Sequence, residues 1–352
     1  LSVNQLASPI FGAGFYYKTF MWPGWFWEKL YEPMIRRAAG LGYPSKQPDP
    51  DTYEKANAFC DVLIVGAGAA GLSAALSAAR AGARVLECDE DFVLGGRLLA
   101  ERGEDDGQST QTWAAAAVAE LESFPDCRIL RRTTVFGVYD GGVYAAVERV
   151  SDHLPEPAPY TPRQRLWRIV AKQSVVCSGA FERPIVFGDN DRPGVMLASA
   201  VRAYVNRFGV TPGRNVVVFA DNEAALSTAK DLSDAGVEVR AIVDPRSDAC
   251  AKAGQVAASI GAQYVSGIVD SVRGVHGIKS VRVKDAQGRM TVFACDLLAV
   301  SGGWNPAINL TTHLGGKPVW NEVLSCLVPG ALPPGMRVAG AAAGRFSLDA
   351  CL

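Results

Sequence analysis

The chain has 352 residues, of which 49% are hydrophobic and 20% charged, and its formal net charge is −1. This length is sufficient for two domains with cores of their own. A charge so close to zero gives no sign of the basic surface that binds nucleic acid or anionic membranes. No run of about eighteen residues is free of charged and turn residues, so a membrane-spanning helix is not predicted.

The cysteines and histidines exclude two kinds of site. The eight cysteines form no Cys-x-x-Cys pair, and Cys88, Cys177 and Cys295 lie in apolar segments. This pattern predicts buried, reduced thiols in a cytoplasmic protein, and the first residues lack the charged-then-apolar order of a secretory signal. The three histidines are far apart in the sequence, so no metal site is predicted.

Residues 1–57 are predicted to form an arm and a linker rather than a domain. The arm holds a dense aromatic cluster: Phe11, Phe15, Tyr16, Tyr17, Phe20, Trp22, Trp25, Phe26 and Trp27. A helix is expected over 27–39, ending at Gly40, with a polar linker after it. This aromatic area must be buried against something, either the rest of the same chain or another subunit.

The segment 60–90 contains a complete dinucleotide-binding pattern. A short apolar strand over 61–65 runs into Gly66, Gly68 and Gly71, and a helix follows over 72–81. The first glycine permits the tight turn, the second lets a pyrophosphate approach the backbone, and the third lets helix and strand pack closely. A second strand then ends at Asp89 and Glu90, whose carboxylates can accept the hydroxyls of a ribose.

The next hundred residues are expected to complete a first domain. Gly95 and Gly96 allow a loop to close over the dinucleotide, where Arg97 could meet a phosphate. A helix is predicted over 112–124, and the following strands are assigned to a small antiparallel meander: 127–130, 133–139 and 143–150. After a proline-rich connector, strands over 166–170 and 174–177 lead to the small-residue turn at Ser178 and Gly179.

The second half repeats the alternation of strands and helices without the glycines. The predicted elements are a helix over 196–208, a strand over 215–220, a helix over 222–235, a strand over 237–243, a helix over 251–260, a hairpin of 281–284 with 290–293, and strands over 296–300 and 336–339. The turn between 219 and 225 contains no glycine, and Asp221 and Glu223 stand where phosphates would bind. This half is therefore predicted to be a degenerate nucleotide-binding domain.

These elements predict an α/β fold of the kind found in flavoproteins with two dinucleotide-binding domains. A Rossmann-type parallel sheet with a β-meander is joined to a second, degenerate Rossmann-like domain. The expected boundaries are 1–57 for the arm, 58–190 with 300–352 for the first domain, and 191–299 for the second.

Five segments resemble one family closely. They are KTFMWP (18–23), RRAAGLG (36–42), ERP (182–184), DNDRPGVMLASAV (189–201) and SGGWNP (301–306). The chain is similar over essentially its whole length to the alpha subunit of heterotetrameric sarcosine oxidase, and also to related amine dehydrogenases and opine oxidases. That alpha subunit is longer at both ends, so the chain is expected to be a central fragment lacking ferredoxin-like and aminomethyltransferase-like domains.

The resemblance implies an oxidoreductase complex acting on a CH–NH donor, with beta, gamma and delta type subunits. Sarcosine is oxidised to glycine with formation of hydrogen peroxide and 5,10-methylenetetrahydrofolate. The FAD and FMN lie in or at the partner beta subunit, and the alpha subunit holds NAD that does not turn over. By motif, the NAD pocket would include Gly66, Gly68, Ala70, Gly71, Asp89, Glu90, Asp91, Gly96, Arg97, Val135, Ser178, Gly179, Ala343 and Leu348.

Several alternatives stay open at this stage. FAD could occupy the first site, although Ala341 follows Gly340 where flavin-binding relatives place an Asp that bonds the ribityl chain. A free-standing pyridine-nucleotide-disulfide oxidoreductase would need a second glycine turn and a cysteine pair. The amine could instead be proline, hydroxyproline or an opine, or the chain could be an assembly scaffold with an empty site. No catalytic residue is predicted, and Glu182, Arg183 and Trp304 are interpreted as structural.

Overall fold

The computed structural model describes residues 22–102, 104–105, 108–246 and 250–351, without the side chains of residues 104, 105, 108 and 250. Contacts divide the chain into two compact units, Leu1–Asp51 and Thr52–Leu352. The predicted aromatic residues from Phe11 to Phe20 lie outside the described residues.

Residues 24–39 of the first unit are helical, and they include the helix predicted over 27–39. This segment consists of helix α1 (Gly24–Phe26), a π-helical turn (Trp27–Tyr31) and helix α2 (Glu32–Ala39). The helix ends because Gly40 adopts a left-handed conformation with a φ of 69°. The side chains of Trp22 and Trp25 are exposed, so the expected burial of the aromatic cluster is not seen at these two residues.

The first sheet of the second unit has the strand order β5-β2-β1-β8-β7-β6, and β20 also pairs with β8. Its strands are β1 (Tyr53–Val65), β2 (Val85–Cys88), β5 (Cys127–Leu130), β6 (Thr133–Tyr139), β7 (Val143–Arg149), β8 (Gln164–Val176) and β20 (Met336–Val338). Helices α3 (Ala69–Arg80) and α4 (Thr110–Ser123) connect the parallel strands. The predicted helix face of Leu72, Ala75, Leu76 and Ala79 is buried.

Two predictions about this sheet were wrong. Strand β5 was assigned to the antiparallel meander, but it pairs with β2 in parallel. Helix α4 is a crossover connection, which returns the chain to the edge of the sheet beside β2 in the same direction. The meander instead consists of β6, β7 and β8. The two runs 166–170 and 174–177 form the single strand β8, in which Lys172 and Gln173 are exposed where the partner changes from β7 to β20.

The second sheet has the order β10-β16-β11-β12-β13-β14-β15. Its strands are β10 (Val195–Leu197), β11 (Asn215–Ala220), β12 (Glu238–Asp244), β13 (Gln263–Arg273), β14 (Ser280–Asp285), β15 (Met290–Ala294) and β16 (Leu297–Ser301). Helices α5 (Ala198–Phe208), α6 (Ala224–Asp234) and α7 (Cys250–Ser259) connect the strands. Alternate residues of β11 enter the apolar clusters on opposite faces, so this central strand is buried on both sides.

Strand β13 was missed by the sequence analysis. It pairs in parallel with β12 over Gln263–Ser266 and then antiparallel with β14 from Gly267. A Cβ on Gly267 would lie 2.2 Å from the carbonyl oxygen of Lys284, so the change of partner requires glycine. That glycine interrupts the apolar pattern from which strands are predicted.

Short elements complete the described part of the chain. They are β3 (Glu104–Asp105), β4 (Gln108–Ser109), β9 (Ala180–Glu182), β17 (Trp304–Pro306), α8 (Asn309–Thr312), β18 (Val319–Asn321), β19 (Cys326–Val328) and 3₁₀ turns at Gly96–Leu99 and Gly340–Ala343. Strand β17 pairs with β9, which brings Trp304 beside the loops that leave the first sheet. We retain the division into 58–190 with 300–352 and 191–299 as a proposal.

Candidate functional site: a glycine turn and its clasp

Three glycines shape the turn between β1 and α3, each for a different reason. Gly66 has a φ of 97°, and a Cβ there would lie 2.4 Å from the carbonyl oxygen of Cys177. A Cβ on Gly71 would lie 1.8 Å from the carbonyl oxygen of Gly66. A Cβ on Gly68 would meet nothing within 4 Å. Two glycines are therefore required by packing, and the third leaves open space beside the backbone.

The start of helix α3 borders this open space. Gly68 is the N-cap residue in an extended conformation, and it provides no side chain to cover the first turn. The first backbone N–H groups of a helix have no partner within the helix, and they favour a negatively charged ligand. Ala70 is buried here, and a Cβ on Gly340 would lie 2.6 Å from its methyl group. The geometry fits a pyrophosphate at Gly68.

Asp89 ties the end of β2 to the glycine turn. Its Oδ2 accepts a hydrogen bond from the Ala67 N–H at 2.6 Å, and its Oδ1 accepts one from the Asp91 N–H at 2.8 Å. Burial raises the pKa of the Asp89 carboxyl. Each carboxylate oxygen has a further lone pair, so Asp89 can also accept a ribose hydroxyl. Glu90 has an exposed side chain, and its carbonyl oxygen accepts a hydrogen bond from Arg149 at 2.6 Å.

Asp91 binds an arginine from the second half of the chain. Arg207 of α5 donates hydrogen bonds to Oδ2 and Oδ1 of Asp91, at 2.6 and 2.9 Å. Burial, the largest single effect, opposes the charge of Asp91. The hydrogen bonds from Arg207 and from the backbone N–H groups of Phe92 and Val93 together outweigh it, so the pKa of the carboxyl is lowered. The sequence analysis did not identify Arg207. Nothing in the local pattern of an amphipathic helix marks one of its arginines as the partner of a loop 116 residues earlier.

The loop from Gly95 to Glu101 lies over the glycine turn, as predicted from its paired glycines. Gly95 donates its N–H to the carbonyl oxygen of Ala67 at 2.8 Å. A Cβ on Gly96 would lie 3.1 Å from the Cα of Gly68. Arg97 forms an ion pair with Glu101, and its guanidinium lies 4.6 Å from the centre of the Trp304 ring. Its proposed contact with a phosphate stays a prediction.

The remaining predicted residues lie at different distances from the turn. Ser178 and Gly179 follow Cys177, which contacts Gly66, and the Ser178 hydroxyl donates to the carbonyl oxygen of Ala307 at 2.5 Å. Ala343 lies in the turn Gly340–Ala343, and Leu348 packs against the core cluster that includes Ala70 of α3. Val135, by contrast, has a buried side chain in the core cluster on the opposite face of the sheet. Its backbone alone could contribute to a pocket.

Helix α5 fastens the loop of residues 96–101, which we call the clasp. Arg202 forms ion pairs with Asp231 of α6 and, at 3.7 Å, with Glu101. Asn206 donates to the carbonyl oxygen of Ala100 at 2.8 Å and to Asp231 at 2.7 Å. A cavity of about 280 Å³ lies between the clasp and the helices; residues lining it include Asp91, Gly96, Arg97, Glu101, Arg202, Arg207 and Trp304.

The corresponding turn of the second sheet is filled by side chains. Asn222 donates to the Ser301 hydroxyl at 2.8 Å and to Asp221 at 3.2 Å. Glu223 pairs with Lys252 of α7. Side chains thus occupy this turn, although Oδ1 of Asn222 is buried without a hydrogen-bond partner among the described residues. The side chains agree with the degenerate second domain expected from the missing glycines.

Searches for two other features found none among the described residues. No cluster of three or more histidine, cysteine, aspartate or glutamate side chains is placed to hold a metal ion within the part of the chain that the structure describes. In the same residues, no helix combines the length and the apolar character that crossing a bilayer requires.

Known proteins resemble both the sequence and the fold. A family model for FAD-dependent oxidoreductases matches residues 61–124, which contain the glycine turn, Asp89 and the clasp. The sarcosine oxidase subunit alpha of Rhizobium meliloti (strain 1021) is 50% identical over 352 residues, which are 100% of this chain and 35% of that protein. The subunit alpha of Corynebacterium sp. (strain P-1) is 41% identical over 323 residues, 89% of this chain and 33% of that protein.

Two solved structures share the fold. The L-proline dehydrogenase from P. horikoshii has a TM-score of 0.63 at 23% identity, covering 85% of this chain and 53% of that one. The thioredoxin reductase of T. acidophilum has a TM-score of 0.63 at 20% identity, covering 83% and 94%. The predicted fold class is confirmed, and the chain contains a dinucleotide-binding domain of the FAD/NAD kind. The chain is thus a homologue of the sarcosine oxidase alpha subunit, spanning about a third of the length of these relatives.

Proposed function

We propose that the chain is the dinucleotide-holding region of the alpha subunit of a multi-subunit sarcosine oxidase. In this proposal NAD is bound at the first glycine turn and does not turn over. Amine oxidation takes place at a flavin in a partner beta-type subunit, with FAD and FMN in or at that subunit, and gamma and delta type subunits complete the assembly. The observation that carries the proposal is the open backbone of Gly68 beside the start of α3. Asp89 stands where the dinucleotide-binding pattern places the acceptor for the ribose, and it is hydrogen-bonded to the same turn.

The residues around the turn fit a bound but chemically inert dinucleotide. The α3 N-terminus would receive the pyrophosphate, Asp89 would accept the ribose hydroxyls, and the clasp would exclude water from both. The clasp is fixed at Ala100 and Glu101 by Asn206 and Arg202. A cofactor that must exchange with solvent in each turnover would gain nothing from such a fastening, whereas a permanently bound one is retained by it.

NAD is preferred over FAD in this proposal because of the last strand of the first sheet. Ala341 follows Gly340 in the turn after β20, and a methyl group offers no acceptor for a ribityl hydroxyl. Asp89 at the ribose disfavours a 2′-phosphate, which argues for NAD over NADP.

A disulfide oxidoreductase is the second class of function, favoured only by the likeness of fold to thioredoxin reductase. Its chemistry requires a reactive thiolate, and burial raises the pKa of the Cys177 thiol to about 12. Burial likewise raises the pKa of the Cys60 and Cys127 thiols, each to about 11. Neutral, buried thiols are poor nucleophiles at physiological pH.

The proposal is tested by denaturing the purified protein and identifying the released nucleotide by chromatography and mass spectrometry. NAD in near-stoichiometric amount is the expected result. FAD would support the alternative occupant, and a protein that neither releases nor rebinds any dinucleotide would contradict the proposal. The chain by itself should form no peroxide from sarcosine, whereas the assembled complex should. The choice of sarcosine over other secondary amines and the cytoplasmic location stay predictions.

A further inference from the structure

We propose that the Asp91–Arg207 ion pair makes the first site reject nucleotides with a 2′-phosphate, by keeping the Arg207 guanidinium engaged. This inference rests on the proposed binding of a dinucleotide at the glycine turn. It assigns to Arg207, a residue of the degenerate half, a role in the specificity of the other half.

The geometry places Arg207 next to the proposed ribose position. Asp89 is the proposed acceptor for the ribose hydroxyls, and its Oδ1 is hydrogen-bonded by the Asp91 N–H at 2.8 Å. Arg207 binds the side chain of Asp91 through two hydrogen bonds, at 2.6 and 2.9 Å. Asp91 raises the pKa of Arg207 most, and Asp89 adds to the effect, so the guanidinium lies within the field of both carboxylates.

The charges around this turn are balanced. Three arginines surround residues 89–92: Arg207 on Asp91, Arg149 on the Glu90 carbonyl, and Arg132 at 5.0 Å from the centre of the Phe92 ring. The same segment carries three carboxylates, on Asp89, Glu90 and Asp91, of which Asp91 pairs with Arg207. A 2′-phosphate carries about two negative charges. It would therefore enter beside Asp89 and Asp91, where the Arg207 guanidinium is already engaged by the Asp91 carboxylate.

The Asp91–Arg207 ion pair is held firmly enough to keep the guanidinium from a 2′-phosphate. The side chains of Arg207 and Asp91 are 19% and 27% exposed, so water screens their attraction less than at an open surface. Arg207 also lies 5.3 Å from the centre of the Phe92 ring, which holds the guanidinium in place. A bidentate arginine–carboxylate pair is among the stronger and more directional ion pairs.

The substitution Asp91→Asn removes the negative charge of this side chain and keeps its shape. Oδ1 of Asp91 accepts the Phe92 N–H at 2.7 Å, and an asparagine oxygen can keep that hydrogen bond. Oδ2 bonds Arg207 alone among the described contacts, and the asparagine NH₂ in its place would repel the guanidinium. Arg207 would then be free to donate to a phosphate on the ribose.

The test uses the nucleotide-free protein, with NAD and NADP titrated by calorimetry. The original protein is expected to bind NAD in clear preference to NADP. Asp91→Asn should improve NADP binding about tenfold, or about 1.4 kcal/mol, because the released Arg207 can donate a charge-assisted hydrogen bond to the phosphate. The ratio of the two affinities should therefore shift towards NADP, and the gain should disappear in the double variant Asp91→Asn, Arg207→Met.

The controls distinguish the possible failures. Asp285→Asn removes the same charge from the hairpin of β14 and β15, where Asp285 pairs with Arg289, and should leave the ratio of the two affinities unchanged. Asp91→Ser provides a second, smaller variant if the asparagine variant does not fold. A variant that binds NAD normally without gaining NADP would overturn this inference and leave the proposed function standing. An original protein that binds no dinucleotide would overturn the proposed function itself.

Discussion

Gly71 and Gly66 are in direct backbone contact across the turn that starts α3. A Cβ on Gly71 would lie 1.8 Å from the carbonyl oxygen of Gly66, and 3.5 Å from the Cβ of Cys177. The closest obstacle is backbone, which cannot move aside as a flexible side chain can. The close packing of α3 on β1 and β8 therefore requires that residue 71 has no Cβ.

We expect Gly71→Ala to destabilise the protein by about 3 kcal/mol, because the helix must shift away from the sheet to admit the methyl group. The free energy of unfolding in urea measures this loss. Gly254 of α7 is the matched control, since a Cβ there meets nothing within 4 Å. An alanine at 254 should be neutral or slightly stabilising. Equal effects of the two substitutions would contradict the packing role of Gly71.

Gly68→Ala should lower the affinity for NAD and leave stability almost unchanged. The backbone of Gly68 is extended, with φ of −77°, and a Cβ enters open space, so stability should change by less than about 1 kcal/mol. The methyl group would stand where the pyrophosphate approaches, and we expect NAD affinity to fall at least about tenfold. Calorimetric titration measures the affinity, and Gly254→Ala again provides the control. Unchanged NAD binding in the Gly68 variant would place the nucleotide elsewhere.

Glu87 gives a prediction about pH. Its side chain is completely buried in β2, and neither carboxylate oxygen has a hydrogen-bond partner among the described residues. Burial, with a smaller effect of Asp89 and against that of Arg131, raises the pKa of Glu87 to about 8 from its ordinary 4.5. The folded protein then holds a proton that the unfolded chain releases between these two values, so stability falls as the pH rises through this window.

We therefore expect Glu87→Gln to remove part of the pH dependence of stability. The difference between the two proteins should be small near pH 4.5 and should grow towards pH 8, by at most about 1.4 kcal/mol per pH unit. Urea unfolding at several pH values measures it. Glu238, an exposed residue paired with Arg240, is the control, because Glu238→Gln should not change the slope. Parallel curves for the Glu87 variant and the original protein would show that Glu87 is charged in the fold.

Arg202 tests the fastening of the clasp. Its side chain is 12% exposed and pairs with Asp231, which is 7% exposed. Arg202→Met should cost about 3 kcal/mol, because Asp231 keeps a buried charge without its cation. Adding Asp231→Asn should recover much of that loss while the clasp stays released at Glu101. NAD should then dissociate faster from both variants, which stopped-flow exchange would measure; unchanged dissociation would contradict the role of the clasp.

The sequence by itself determined most of the elements and the glycine turn at which we propose that the dinucleotide binds. The bounds of β6 and β11, the hairpin of β14 and β15, and the helix end at Gly40 follow from local hydropathy and turn residues. Gly66 and Gly71 have the steric roles that their spacing predicts, since backbone conformation and close approach depend on the residues of the turn itself. The role of Gly68 towards a pyrophosphate stays a prediction. These features are encoded locally, so a single stretch of sequence is enough to predict them.

Only the tertiary structure decided which elements and side chains meet. Strand β5 pairs with β2, and β13 changes partner at Gly267, because each choice depends on segments far away in the chain. Arg97, expected to meet a phosphate, is engaged by Glu101 and Trp304, and Arg207 reaches Asp91 from the other half. A side chain's charge is written in the sequence, but its partner is fixed by packing, which brings together residues that no local pattern connects.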